Sequence, residues 1–369
     1  MTSAHDDEPL HRVRRSIRAL LSLAVFCAAF AVLVIVNHET DPPPGPKTDD
    51  ATGLTYFEDF ELPARSLETW PGGCYLAFGE GGTVWSADGD CSTPSPLWTA
   101  EGPGERPLVF LDSAAGAPGF YAGLATEDGQ GLDGRNRGYV AVGGVGGGDK
   151  TWRLSLLPAR NKWGNDVEPR SITWDGSAFV VVGREGGEPA VWSSRNGSDW
   201  VLTHIDVPGE AAPLLATSDG AGLVIASIRL GVPDGGYDDT LWWSRDSGAT
   251  WKRATAPEGR HGIGALVPDG EGFTAYGADA DGTAATLVSV DGAEWTAGKG
   301  PRCAWDGTAT GSGPTGTLVL LGSPCNLLLV PGDSGLPVPS SAALPVGLPD
   351  GRVALVDFRL GRLWLGRPG

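Results

Sequence analysis

Tryptophans recur along this chain at nearly even steps, at Trp98, Trp152, Trp200, Trp251 and Trp295, with intervals of 54, 48, 51 and 44 residues. A period of that size is the length of a small supersecondary unit that cannot bury its apolar face alone and must stack on copies of itself. The stretch ending at Trp251 reads Ser244-Arg245-Asp246-Ser247-Gly248-Ala249-Thr250-Trp251. Ser193, Gly197, Asp199 and Trp200 echo it, with Arg195 where the acid stands. Ser289-Val290-Asp291-Gly292-Ala293-Glu294-Trp295 is a copy one residue shorter, and Ser86-Ala87-Asp88-Gly89 opens a fourth whose tryptophan, Trp98, is pushed back by an insertion.

The clearest unit runs from Arg170 to Val207 and contains four short strands. Ser171–Trp174 is followed by an Asp175-Gly176 turn; Phe179–Gly183 is apolar enough to be buried on both faces; Ala190–Ser193 and Trp200–Thr203 complete the sheet. Comparable units occupy Ser66–Ala100, Leu108–Leu157, the segments leading to Trp251 and Trp295, and Cys303 to about Pro337. The last segment, Leu344–Leu365, supplies only three strands, and Leu54–Phe60 is a strand without a unit. Pairing the two closes a ring and removes exposed sheet edges. With 57 glycines and 29 prolines for tight turns, the expected fold is all-β, a seven-bladed β-propeller over residues 54–369, with six blades as the alternative.

Before that domain, residues 19–36 form an uncharged apolar run of 18, the lower end of what spans a bilayer as a helix. Four arginines lie in residues 1–18, and Glu39, Asp41, Asp49 and Asp50 follow the run, which orients the tail 1–18 to the cytoplasm and the propeller outside the cell membrane. A cleaved signal peptide ending at Ala29-Phe30-Ala31 is the competing reading, although the run continues through Val36. Residues 37–53 carry a Pro-rich spacer. The chain has a formal charge of −18, concentrated beyond residue 18. So acidic a domain is expected to repel nucleic acid and anionic lipid.

Cys74, Cys91, Cys303 and Cys325 form two local pairs without C-x-x-C spacing, and only five histidines exist. Disulfides Cys74–Cys91 and Cys303–Cys325 are therefore expected, and neither a metal nor a cofactor is. Asp128–Gly134 lacks the acid alternation of a calcium loop, and no G-x-S-x-G elbow is present.

On the motif at Ser244, Asp246, Gly248, Thr250 and Trp251 and its echoes, the domain resembles the Asp-box (bacterial neuraminidase repeat) β-propellers, a superfamily with the sialidase fold that includes sialidases, other glycoside hydrolases and non-catalytic proteins. The resemblance implies that the box is a structural turn between third and fourth strands. A sialidase would further need three arginines clamping a carboxylate, a Tyr-Glu nucleophile pair and an Asp acid. The Arg-Ile-Pro element that usually supplies the first arginine is missing. The expected function is thus a membrane-anchored, non-catalytic module that binds or scaffolds a protein or glycan at the cell surface. A sialidase-like glycoside hydrolase and an assembly factor for a membrane complex are the alternatives. The long connections expected on one face carry the candidate ligand contacts Arg135, Arg137, Arg160, Lys162, Trp163, Asp166, Tyr237 and Asp238.

Overall fold

The computed structural model describes residues 46–367 apart from 50–51, 53, 58–61, 71, 101–106, 118, 128–136, 145–150, 161–165, 233–236, 260, 271, 301–307, 312–316, 323–324, 330–335, 340–343 and 358–361. The apolar run 19–36 lies outside the described residues. Among those residues no helix is long and apolar enough to cross a membrane.

The described residues form seven antiparallel sheets, six of four strands and one of five. Numbered blades 1 to 7 in this order, they have as innermost strands Ala64–Thr69, Leu108–Ala115, Val167–Trp174, Ala211–Ser218, His261–Pro268, Thr308–Gly311 and Leu344–Gly347. Residues from all seven line one central cavity of about 460 Å³. The fold is a seven-bladed propeller, which decides between seven and six.

The core is a set of seams between blades. One cluster joins Val140 and Val142 of blade 2 to Phe179, Val181 and Trp192 of blade 3; the next joins Val180, Val182 and Val191 of blade 3 to Val224, Ala226 and Trp242 of blade 4. Odd and even residues of the second strand of blade 3, Phe179–Glu185, thus feed opposite seams. That is why an uninterrupted Val180-Val181-Val182 run is required there.

The ring closes through the N-terminal side. Thr55–Phe57 pairs antiparallel with Arg362–Gly366 in the register Thr55↔Leu365, Tyr56↔Trp364, Phe57↔Leu363. Leu54 is 3% exposed in the seam between blades 6 and 7, and Tyr56 packs on Trp364 with ring centres 4.7 Å apart. The sheet reaches further upstream than expected. Lys47–Thr48 adds a fifth strand against Thr55–Tyr56, so the end of the spacer folds back through a turn in which Asp49 N–H donates to the Leu54 carbonyl.

Five consecutive inner strands carry a one-residue bulge at the same height, skipping Arg65, Leu111, Arg170, Leu214 and Gly264. Opposite three of them stand Gly79, Gly183 and Gly277, where a Cβ would collide with the facing backbone carbonyl of Pro63, Glu168 or Gly262. In these three blades the inner strand comes too close for a side chain, whereas Ala125 and Ile228 stand at the same place in blades 2 and 4.

Candidate functional site

Successive antiparallel strands alternate in direction, so hairpins joining second to third strands and connections to the next blade emerge together. They form what we call the upper face. The described candidate residues, Arg137, Arg160, Asp166, Tyr237 and Asp238, lie there on three neighbouring blades.

In blade 3 the hairpin turn at Gly186 and Gly187 presents Glu185 and Glu188. Glu185 accepts from the Arg160 backbone N–H at 2.9 Å, and His204 Nε2 lies 3.2 Å from its other oxygen. Arg160 Nη1 is 3.5 Å from Glu188. Asp166 holds a left-handed backbone, φ 72°, and its carbonyl accepts from Gly186 N–H. Arg160 and Asp166 therefore each engage this hairpin, Arg160 through its cation and backbone N–H and Asp166 through its carbonyl.

In blade 4 the second and third strands pair as far as Gly231↔Tyr237, leaving a shorter loop than the sequence suggested. Tyr237 and Asp238 consequently sit on a strand. Arg229 grips the buried Asp239 with two bonds, 2.8 and 3.0 Å, and Asp239 also accepts from Ile263 N–H of blade 5 at 2.8 Å. Asp238 accepts from His261 N–H at 3.2 Å, so its carboxylate also serves the seam to blade 5. Tyr237 stays 65% exposed, with the Arg229 guanidinium 5.5 Å from its ring centre. Arg135, Lys162 and Trp163 lie outside the described residues.

Arg137 lies 3.8 Å from Glu127 in blade 2, and Tyr139 O–H donates to the same carboxylate at 2.8 Å. This Tyr-Glu pair had no signal in the sequence, because its members are twelve residues apart across a hairpin. It is placed in the blade 1–2 seam, with Tyr139 only 1% exposed, and not in the central cavity. Burial first, then the Glu127 carboxylate, pushes the Tyr139 phenol up to about 12.

The cavity wall has its own network. Asp112 of blade 2 accepts from Ser171 O–H at 2.7 Å and Ile172 N–H at 2.9 Å of blade 3, and from Ser113 N–H at 2.9 Å. Ser171 in turn accepts from Ala216 N–H of blade 4. Ser113 O–H donates to Glu68 of blade 1 at 2.9 Å, so the inner strands of blades 1 to 4 are clasped in series. Burial pushes the Asp112 carboxyl up to about 6 against the pull of its three donors.

No family model and no curated protein matches the sequence. Among solved structures, YCF48 bound to D1 peptide superposes with a TM-score of 0.54 and 11% identity over 88% of this chain and 100% of that one. Trypanosoma rangeli sialidase in complex with sialic acid gives 0.49 and 12% over 81% of this chain and 59% of that one, and the Hadza microbial sialidase Hz136 gives 0.48 and 12% over 71% and 66%. The chain shares the β-propeller fold of YCF48.

The Asp box of this propeller lies on the opposite, lower face and is a self-contained turn. Ser244 O–H donates to Asp246 at 2.8 Å; Asp246 accepts from Thr250 N–H and O–H at 2.8 and 2.6 Å; Trp251 Nε1–H donates to the Gly248 carbonyl at 2.9 Å. Burial raises the Asp246 carboxyl, but the Thr250 and Ser244 bonds outweigh it and hold the group below the ordinary range. In blade 3 the echo is shifted by one residue from its sequence reading. Ser194 and Asn196 take the roles expected of Ser193 and Arg195, with Asn196 accepting from Ser198 and Asp199 N–H groups at 2.9 Å. Each box glycine has a left-handed backbone and lies against the preceding blade: a Cβ on Gly197, Gly248 or Gly292 would strike Val142, Val191 or Ile225.

Proposed function

We propose that this protein is a non-catalytic binding module, tethered to the outer side of the cell membrane through residues 19–36, that takes a protein partner on its upper face. The observation that carries the reading is the state of that face's cations. Arg137, Arg160 and Arg229 are each paired with a carboxylate of the fold, Glu127, Glu188 and Asp239. None of these three is left to converge with others on a substrate carboxylate. The Tyr139–Glu127 pair is walled into a seam, and its phenol is shifted away from the ionised state a nucleophile needs. What the face does offer is exposed Tyr237 beside Arg229, and Arg160 beside Glu188, an aromatic-and-arginine surface on a rigid scaffold suited to protein contact. The YCF48 propeller, similar in fold, was solved with a peptide bound.

A photo-crosslinking residue in place of Tyr237 or Arg160 in the full chain, on intact membranes, is expected to give a discrete protein adduct. The same residue in place of Val290, exposed on the lower face, is expected to give none. Adducts to glycan alone would redirect the reading to a sugar ligand. Glycoside hydrolysis by the purified chain, abolished by Tyr139→Phe, would replace it with the hydrolase.

A further inference from the structure

Blade 1 lacks a working box: its third-to-fourth turn has no counterpart of the Trp251–Gly248 bond, and Trp98 sits on the fourth strand opposite Val84. A disulfide stands in its place. Cys74 precedes the second strand, Tyr75–Gly79, and Cys91 follows the third, Thr83–Ala87; the two are bonded with Cα atoms 5.6 Å apart. Cys74 N–H donates to Ala87, Cys91 N–H to Asp88, and Tyr75 O–H to the Cys91 carbonyl.

Its location is informative. Both cysteines belong to the cluster that packs blade 1 on blade 7, with Val346, Leu348, Ala354, Val356, Leu363 and Leu365. Arg352 of blade 7, anchored by Asp350 at 2.6 Å, donates to Cys91 Sγ at 3.4 Å. Blade 7 is the blade assembled from both ends of the domain, so this seam is among the last that folding can complete. Cys74 is 5% and Cys91 1% exposed once it is complete.

We propose that the Cys74–Cys91 disulfide is a redox lock on ring closure, formed while the face of blade 1 is still open and shielded from exchange after blade 7 docks. Formation is a two-electron oxidation by a thiol oxidoreductase or a small disulfide. One protein thiolate attacks the oxidant's disulfide and releases one of its thiols; the second protein thiolate attacks the mixed disulfide and releases the other. The protein dithiol is oxidised and the oxidant's disulfide is reduced to two thiols. Because neither sulfur is open in the closed ring, the oxidant must act before docking, and a reductant can act only when the seam reopens.

The test uses the full chain in detergent and hydrogen exchange at the closing strands, Thr55–Phe57 and Arg362–Gly366, with Phe179–Glu185 of blade 3 as internal reference. In Cys74→Ala/Cys91→Ala the closing strands are expected to exchange about a hundredfold faster, the shift expected from losing a disulfide that closes a loop of this size, while blade 3 keeps its protection. In the wild-type protein, dithiothreitol is expected to reduce Cys74–Cys91 no faster than the closing strands exchange. Unchanged protection of the closing strands in the variant, equal loss of protection in blade 3, or reduction faster than seam opening would each overturn the proposal.

Discussion

Blades 3 to 5 and blade 1, which packs on the closing blade, solve the same problem with different chemistry. In blades 3, 4 and 5 the lower turn is tied by a short polar side chain, Asn196, Asp246 or Asp291, accepting local N–H groups, and a tryptophan caps it. In blade 1 the turn is tied covalently by Cys74–Cys91; in blade 6 the disulfide-bonded Cys325 lies instead between the second and third strands, on the upper face, and its expected partner, Cys303, lies outside the described residues. The box blades are continuous pieces of chain whose neighbours are covalently close. The seam between blades 7 and 1 joins residues nearly three hundred positions apart, such as Thr69 O–H and the Gly347 carbonyl. The crosslink does not cross that seam: it closes 17 residues within blade 1 and stiffens the surface on which blade 7 packs.

The comparison predicts that closure dominates stability. Deleting Leu54–Phe57 is expected to cost on the order of 5 kcal/mol, from the buried Leu54 and the lost strand ladder, and to broaden the thermal transition. Removing residues 41–46, ahead of the first strand, should leave the melting temperature where it was. Equal melting of the two truncations would mean that the ring closes without this strand.

Next in size is the cavity-wall network that distinguishes blades 1 to 4 from the rest. Asp112 has its carboxyl raised to about 6 by burial. Both folded and unfolded chains hold its proton below the ordinary aspartate value, so there it costs nothing. As pH rises through that value the unfolded chain ionises first, and the cost grows until the folded group ionises near 6. Above 6 it stays constant, on the order of 3 kcal/mol. Urea melts of Asp112→Asn against wild type from pH 4 to 8 should show the wild type losing ground between pH 4 and 6 and parallel curves above. A variant that instead loses stability equally at every pH would show that the hydrogen bonds to Ser171 and Ile172, and not the charge, are what Asp112 contributes.

Within the box blades the effects should be smaller and graded. Asp246→Ala removes the acceptor of the Ser244 and Thr250 bonds and is expected to cost about 2 kcal/mol; Asn196→Ala, with a neutral amide, about 1 kcal/mol. Chemical denaturation of the two variants ranks them, and the opposite order would remove charge as the reason the full box is stronger. Smallest of all, Tyr237→Ala should change stability by less than about 0.5 kcal/mol, since the ring is exposed, while weakening partner crosslinking.

Much of this architecture was legible in the residues because it is local or periodic. The apolar run Val180–Val182, the turn signals around it and the recurring tryptophans place four strands in each unit, and three orphan strands at one end with one at the other imply the closure that Tyr56 and Trp364 make. The Cys74–Cys91 pair was likewise expected from its separation of 17. The echo in blade 3 was misread by one residue because Ser193 and Ser194 are adjacent and Asn196 can accept the same bonds as an acid.

The tertiary structure alone decided which charges are spoken for. Arg229 and Asp239 are ten residues apart, but their bond matters through Ile263 in the next blade; Asp112 meets Ser171 across 59 positions; Tyr139 meets Glu127 inside a seam where a sequence can show only that a tyrosine and a glutamate exist. The bulges at Arg65, Leu111, Arg170, Leu214 and Gly264 share a height without sharing a residue type, because a bulge is set by the register of two strands. Sequence determined the repeating unit, since hydrophobic period and turn chemistry act over a few residues. Placement of the charged groups at the seams and on the upper face was decided by ring packing, which brings together side chains whose spacing along the chain carries no period.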